Sequence, residues 1–223
     1  MIYKNELQDY CDAIRRILNS QFSDAMQRAF LAWIDVLPEK NMGIVAPTES
    51  PEYPQQAYLL RFAPGVEIGF YIPNLLDQYD HGRLNVSRVC ATSTNDIIFS
   101  KEVAEPFMQD DSSIMAVKFP VGISDLRTLK DYIVDGNKRI SSMLRSESIQ
   151  SISYNRVEPH SLTPWCFTDV YSHFILLYTY DMVLSVVHND PMGVLFRIGA
   201  ETIPGLTKYY PKFLEDLASN SSS

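Results

Sequence analysis

Trp165 to Val187 reads WCFTDVYSHFILLYTYDMVLSVV, and no other stretch of the 223 residues is so apolar for so long without glycine or proline. Wound at 3.6 residues per turn, it places apolar side chains on every side, the mark of a helix enclosed by other elements. Thr163 is placed to cap it and Pro164 suits a first helical position, while Asn189, Asp190 and Pro191 end it. The length of about 20 residues needed to cross a bilayer is available. However, Asp169, Ser172, His173, Thr179, Asp181 and Ser185 are spread along the run, and an aspartate at mid-bilayer costs about 3 kcal/mol. The segment is expected to be the central core helix of a protein without a membrane partner.

Outward from that helix, the chain reads as one α+β domain over residues 1–218, followed by a disordered tail at 219–223. Leu7, Tyr10, Cys11, Ile14, Ile17 and Leu18 predict a first amphipathic helix, and Met26, Phe30, Trp33, Ile34 and Leu37 a second, together an N-terminal helical hairpin. Residues 38–56, with four prolines, form a surface loop. Ala57 to Phe62 and Val66 to Ile72 predict a β-hairpin, and Asp77 to Arg83 a polar turn. Leu84 to Ala91, Asp96 to Ser100, Ile114 to Phe119 and Ser148 to Val157 read as strands, with a short helix at Lys101 to Gln109. Ser124 is placed to cap a helix carrying Leu126, Leu129, Ile133, Ile140 and Leu144, broken near Gly136. Gly193 to Ile198 adds a strand and Leu206 to Leu217 a closing helix. The fold class is therefore α+β: a mostly antiparallel sheet of about five to six strands, given the short connections, packed on the central helix and the N-terminal hairpin.

A net charge of −8 disfavours nucleic acid and anionic membranes and suits a basic protein partner. Three cysteines without paired spacing (Cys11, Cys90, Cys166), and an N-terminus without a signal-like apolar region, predict reduced thiols and a cytoplasmic location. The phosphate-binding glycine loops, the zinc-protease and deaminase signatures and the G-x-S-x-G elbow are absent, and no cofactor is implied.

One constellation invites chemistry. With Thr163 as cap, Cys166 falls in the first helical turn, where the helix dipole lowers a thiol pKa; Asp169 and His173 follow on the same face, and His160 precedes them as an alternative base. That pattern describes a thiol hydrolase or transferase, although the commoner role of such residues is packing. Asp77, Asp80 and His81 form an acidic turn that could hold a divalent cation if Asp110 or Asp111 came alongside, but it lacks calcium-loop spacing and no metal is assigned to it. Lys138, Arg139 and Arg145 read as a solvated helix face. Tyr53, Tyr58, Tyr71 and Tyr79 cluster around the hairpin and are the candidate binding surface, since Tyr offers large contact area at low entropic cost. The leading expectation is a non-enzymatic interaction module such as an adaptor, a secretion-type chaperone or an immunity protein. The thiol enzyme and a structural subunit of a larger assembly are the alternatives.

Overall fold

The computed structural model describes residues 11–16, 31, 57–63, 66–99, 113–122, 125–145, 151–168 and 170–187. Of the expected N-terminal hairpin, residues 11–16 are helical and bury Cys11 and Ile14. The remainder of that hairpin, apart from the helical Leu31, lies outside the described residues, as do the 38–56 loop, the 101–109 helix, the last strand and helix, and the tail.

The alternating pattern that predicts the hairpin is realised as β1 (Ala57–Ala63) and β2 (Val66–Tyr71), antiparallel from Ala57↔Tyr71 to Ala63↔Val66. Ile68 and Phe70 turn the same way and are fully buried. Between them Gly69 is pressed against the chain ahead of the central helix. Its amide donates to Ser172 Oγ and its carbonyl accepts from the Thr168 amide, both at 2.9 Å. A Cβ here would stand 2.0 Å from Thr168 Oγ1, so the close approach requires glycine.

The polar turn expected at residues 77–83 is the end of a helix, α1 (Ile72–Asp80), which follows β2 directly with Pro73 in its first turn. Leu75 is its buried residue. Gly82, at φ +64°, closes the helix: its amide bonds to Tyr79 O and that of Arg83 to Gln78 O, the paired bonds of a glycine C-terminal motif. The acidic residues that suggested a turn are its solvent face.

Five further strands, β3 (Val86–Ala91), β4 (Ile97–Ile98), β5 (Met115–Gly122), β6 (Asp125–Asp135) and β7 (Ile152–Val157), form one sheet in the order β3-β7-β5-β6-β4. The β3–β7 and β5–β6 pairs are antiparallel, but β5–β7 and β4–β6 are parallel, so the expectation of a mostly antiparallel sheet holds only in part. The short connection from β3 to β4 misled it: the two strands it joins are the opposite edges of the sheet, not neighbours.

The helix expected from Ser124 is likewise corrected, because residues 125–135 are the longest strand. Leu126, Leu129 and Ile133 fit a helical period, yet Thr128, Tyr132, Ile133 and Val134 are β-branched or aromatic, and antiparallel pairing with β5 decides the outcome. Gly136 (φ +89°) then turns the chain into α2 (Asn137–Arg145). Ile140 and Met143 of α2 pack with Ala91, Ile97, Ile114, Ala116, Ile133, Ile152 and Tyr154 on one sheet face. Arg139, expected on a solvated face, is half-buried and bonds Asp135 at 3.0 Å and Ser113 O at 3.1 Å.

The opposite parity of β5, Met115, Val117 and Phe119, is also fully buried. The hairpin lies against β5 and β6, and α3 (Val170–Val187) against β2 and β6. From Ser172 to Val183 every side chain of α3 is buried except Tyr180. The helix is thus enclosed as its sequence requires, and among the described residues no helix is long and apolar enough to cross a membrane.

Candidate functional site

The helix start differs from the expectation, and the difference reshapes the candidate site. Pro164 opens only a single 3-10 turn, Pro164–Cys166, with no side-chain cap from Thr163. Phe167 then runs extended, at φ −123° and ψ 157°, because it bridges Phe70 of β2 and packs its ring 4.9 Å from that of Phe70. Tertiary pairing therefore overrides the helical continuation, and α3 begins at Val170.

Cys166 loses the environment that would activate it. It is fully buried, outside the helix, and burial pushes its thiol pKa up; its sulfur lies 3.7 Å from Thr163 Oγ1. His173 is also fully buried. Its Nε2 lies 3.1 Å from the Leu162 carbonyl, which can only accept, so that nitrogen carries the proton. Burial lowers the His173 pKa to about 4, leaving it neutral at physiological pH. Its ring leans on Phe167 at 5.1 Å. Asp169 lies outside the described residues. The expected Cys–His–Asp face is thus replaced by a buried histidine and a buried thiol, each with its own packing and bonding.

His160 has a different partner. It sits in the 3-10 turn Pro159–Ser161 with its side chain 35% exposed, and its Nε2 lies 2.6 Å from Oδ1 of Asp181, fully buried on α3. Burial pushes the Asp181 carboxyl up and His160 opposes that shift. Spacing alone could not join residues 21 positions apart.

A second polar group crosses the sheet. Arg156 of β7 forks onto Asp131 of β6, Nε to Oδ1 at 2.7 Å and Nη2 to Oδ2 at 2.5 Å, and the Tyr154 hydroxyl also donates to Oδ2. β5 lies between these strands, and the residue opposite Arg156 on it is Ala116. Its small side chain leaves the room over which both β7 side chains reach Asp131. Burial and Asp131 raise the Tyr154 hydroxyl pKa, and the bond to Asp131 raises that of Arg156. The group ties β7 to β6 across β5.

Of the tyrosine surface, Tyr71 stands half-buried at the start of α1. Tyr79 is structural: its hydroxyl accepts from Asn155 Nδ2 at 3.1 Å and lies 3.4 Å from Ser113 Oγ. Tyr58 is on β1 with its side chain outside the described residues, and Tyr53 is outside them altogether. At the acidic turn His81 Nδ1 lies 2.8 Å from the Asp77 carbonyl and 3.3 Å from its carboxylate, while Arg83 lies 4.0 Å from it. Among the described residues no three metal-ligating side chains converge, and Asp110 and Asp111 fall outside them.

The feature missed in the sequence is Trp165. Read as the opening of a buried helix, it is instead 61% exposed, the one large hydrophobic side chain so exposed among the described residues. Its backbone is fixed: the carbonyl accepts from Asn74 Nδ2 of α1 at 2.8 Å, and Cys166 and Phe167 beside it are fully buried. No local signal announced it, because the turn stops after three residues only where Phe167 pairs with Phe70. No family model, curated protein or solved structure matches the chain, so the reading of this surface rests on its own chemistry.

Proposed function

We propose that this chain is a non-enzymatic, cytoplasmic protein-interaction module whose recognition surface centres on Trp165, with Tyr71 at the start of the adjoining α1. The observation that carries the reading is a tryptophan 61% exposed on a turn with a fixed backbone. Tryptophan is enriched among residues that dominate binding energy, and a rigid mount lowers the entropic cost of using it. The net charge of −8 favours a basic partner, and three cysteines without paired spacing suit a reducing compartment. The thiol-enzyme reading is the weaker one, because a buried thiol with a raised pKa is a poor nucleophile.

Trp165→Ala is the test. It should change unfolding free energy by no more than about 0.5 kcal/mol, as surface substitutions do. Partners retained by the wild type at low salt should then bind the purified variant at least tenfold more weakly, and wild-type on-rates should fall steeply with ionic strength. Equal affinity of both proteins for the same purified partner defeats the proposal.

A further inference from the structure

The contact between α3 and the 3-10 turn at Pro159–Ser161 belongs to neither the thiol reading nor the Trp165 surface. On α3 two of the buried polar side chains hold backbone groups: Ser172 holds Gly69 and His173 holds the Leu162 carbonyl. Asp181 meets His160 at 2.6 Å. One member of this pair is sealed inside and the other reaches water, so a proton taken up at the surface acts on a charge in the core.

Two titratable groups are seen against His160 among the described residues. From α3 there are Asp181 and Tyr180, whose ring stands edge-on at 5.2 Å and 80°. Tyr180 in turn lies in the field of Glu158 and Arg156 at the end of β7, whose opposite charges act on its hydroxyl in opposite senses. Burial is the main reason the Tyr180 hydroxyl is held protonated, and Glu158 adds to it.

We propose that His160 and Asp181 form a proton-dependent latch that pins residues 159–167 to α3. With one proton held between Nε2 and Oδ1 the contact is a neutral pair; without it, a buried carboxylate faces an uncharged ring. The same segment is held by His173, which has the opposite requirement, because it must be uncharged to pack against Phe167 and Leu162. Two histidines of opposite sign therefore bracket the segment, the buried one failing at low pH and the surface one at high pH. Trp165 lies within it, so in the interaction reading the latch sets how firmly that side chain is presented; this last step alone rests on that reading.

The test is histidine-ring NMR on the full chain, with the His160 signal assigned by its loss in His160→Gln. The wild-type ring should keep its proton to a pH above the ordinary histidine value of about 6.5, and Asp181→Asn should lower its midpoint by at least one unit. Hydrogen-exchange protection of residues 160–166, corrected for the intrinsic pH dependence of exchange, should fall about tenfold as the wild type passes that midpoint. A midpoint unchanged by Asp181→Asn, or protection that ignores it, overturns the latch. Should Asp181→Asn not fold, His160→Gln decides: its protection should stay low and flat where that of the wild type steps down, and a step of equal size in the variant overturns the proposal. Neither readout needs a partner, so the latch and the Trp165 reading can fail separately.

Discussion

Asp131→Ala is expected to lower stability by about 3 kcal/mol, seen in urea unfolding as a fall in midpoint at unchanged slope. In melting temperature this is roughly 6–12 °C for a chain of this size. The cause is what the substitution strands. Asp131 is 3% exposed and accepts both arms of Arg156 and the Tyr154 hydroxyl. Removing it leaves a guanidinium only 30% exposed without its counter-ion and a buried phenol without an acceptor. Loss of one member of a buried pair typically costs 3–5 kcal/mol, and the partial exposure of Arg156 places the value at the low end. Replacing the whole group, Asp131→Leu with Tyr154→Phe and Arg156→Met, should recover most of the loss, because no charge is then left stranded. A single variant within about 0.5 kcal/mol of wild type contradicts the pairing.

Acidification should destabilise the protein through His173. The folded pKa lies at about 4 against an ordinary histidine value of 6.5. Between these values the unfolded chain binds a proton that the folded chain refuses, so stability rises with pH across the window. The contribution is fully present above pH 6.5 and is lost as pH falls through 4. The difference of about 2.5 units corresponds to roughly 3 kcal/mol. Carboxylates titrate in the lower half of the same window, so the comparison is with His173→Gln, which keeps an amide donor for Leu162 O and has no proton to gain. The wild-type curve should fall relative to the variant by about 3 kcal/mol between pH 7 and pH 4. Parallel curves would mean that His173 is charged or solvated in the folded state.

Much of the fold was legible where one local pattern stood unopposed. The β1–β2 hairpin followed from the turn residues Ala63, Pro64 and Gly65 and the alternation after them, and the burial of α3 from apolar side chains on all sides. The misreadings fall where two patterns competed. Leu126, Leu129 and Ile133 carry helical spacing inside a strand whose identity is set by pairing with β5. Asp77 and Asp80 looked like a turn because the hydrophobic side of α1 is short, although Gly82 was a readable helix stop. Sheet order was beyond local reading, since the five-residue link from β3 to β4 joins opposite edges.

The candidate site was legible only in its residue types. His160 and His173 were identified, but Asp181, the actual partner of His160, lies 21 residues away, and nothing local announces the pair. Trp165 was hidden by its neighbours: the apolar run beginning there implied burial, and only the extended Phe167, pulled out by Phe70, leaves the indole outside.

The distinction between a packed, Trp-presenting turn and a thiol site is most directly tested by alkylating the native protein and mapping the modified cysteines over time and pH. Cys90, exposed on the edge strand β3, should react at the rate of an open thiol, while buried Cys166 reacts only as fast as the protein unfolds. Rapid modification of Cys166 in the folded protein, with an apparent pKa below the reference of about 8.5, would contradict this and restore the enzyme reading.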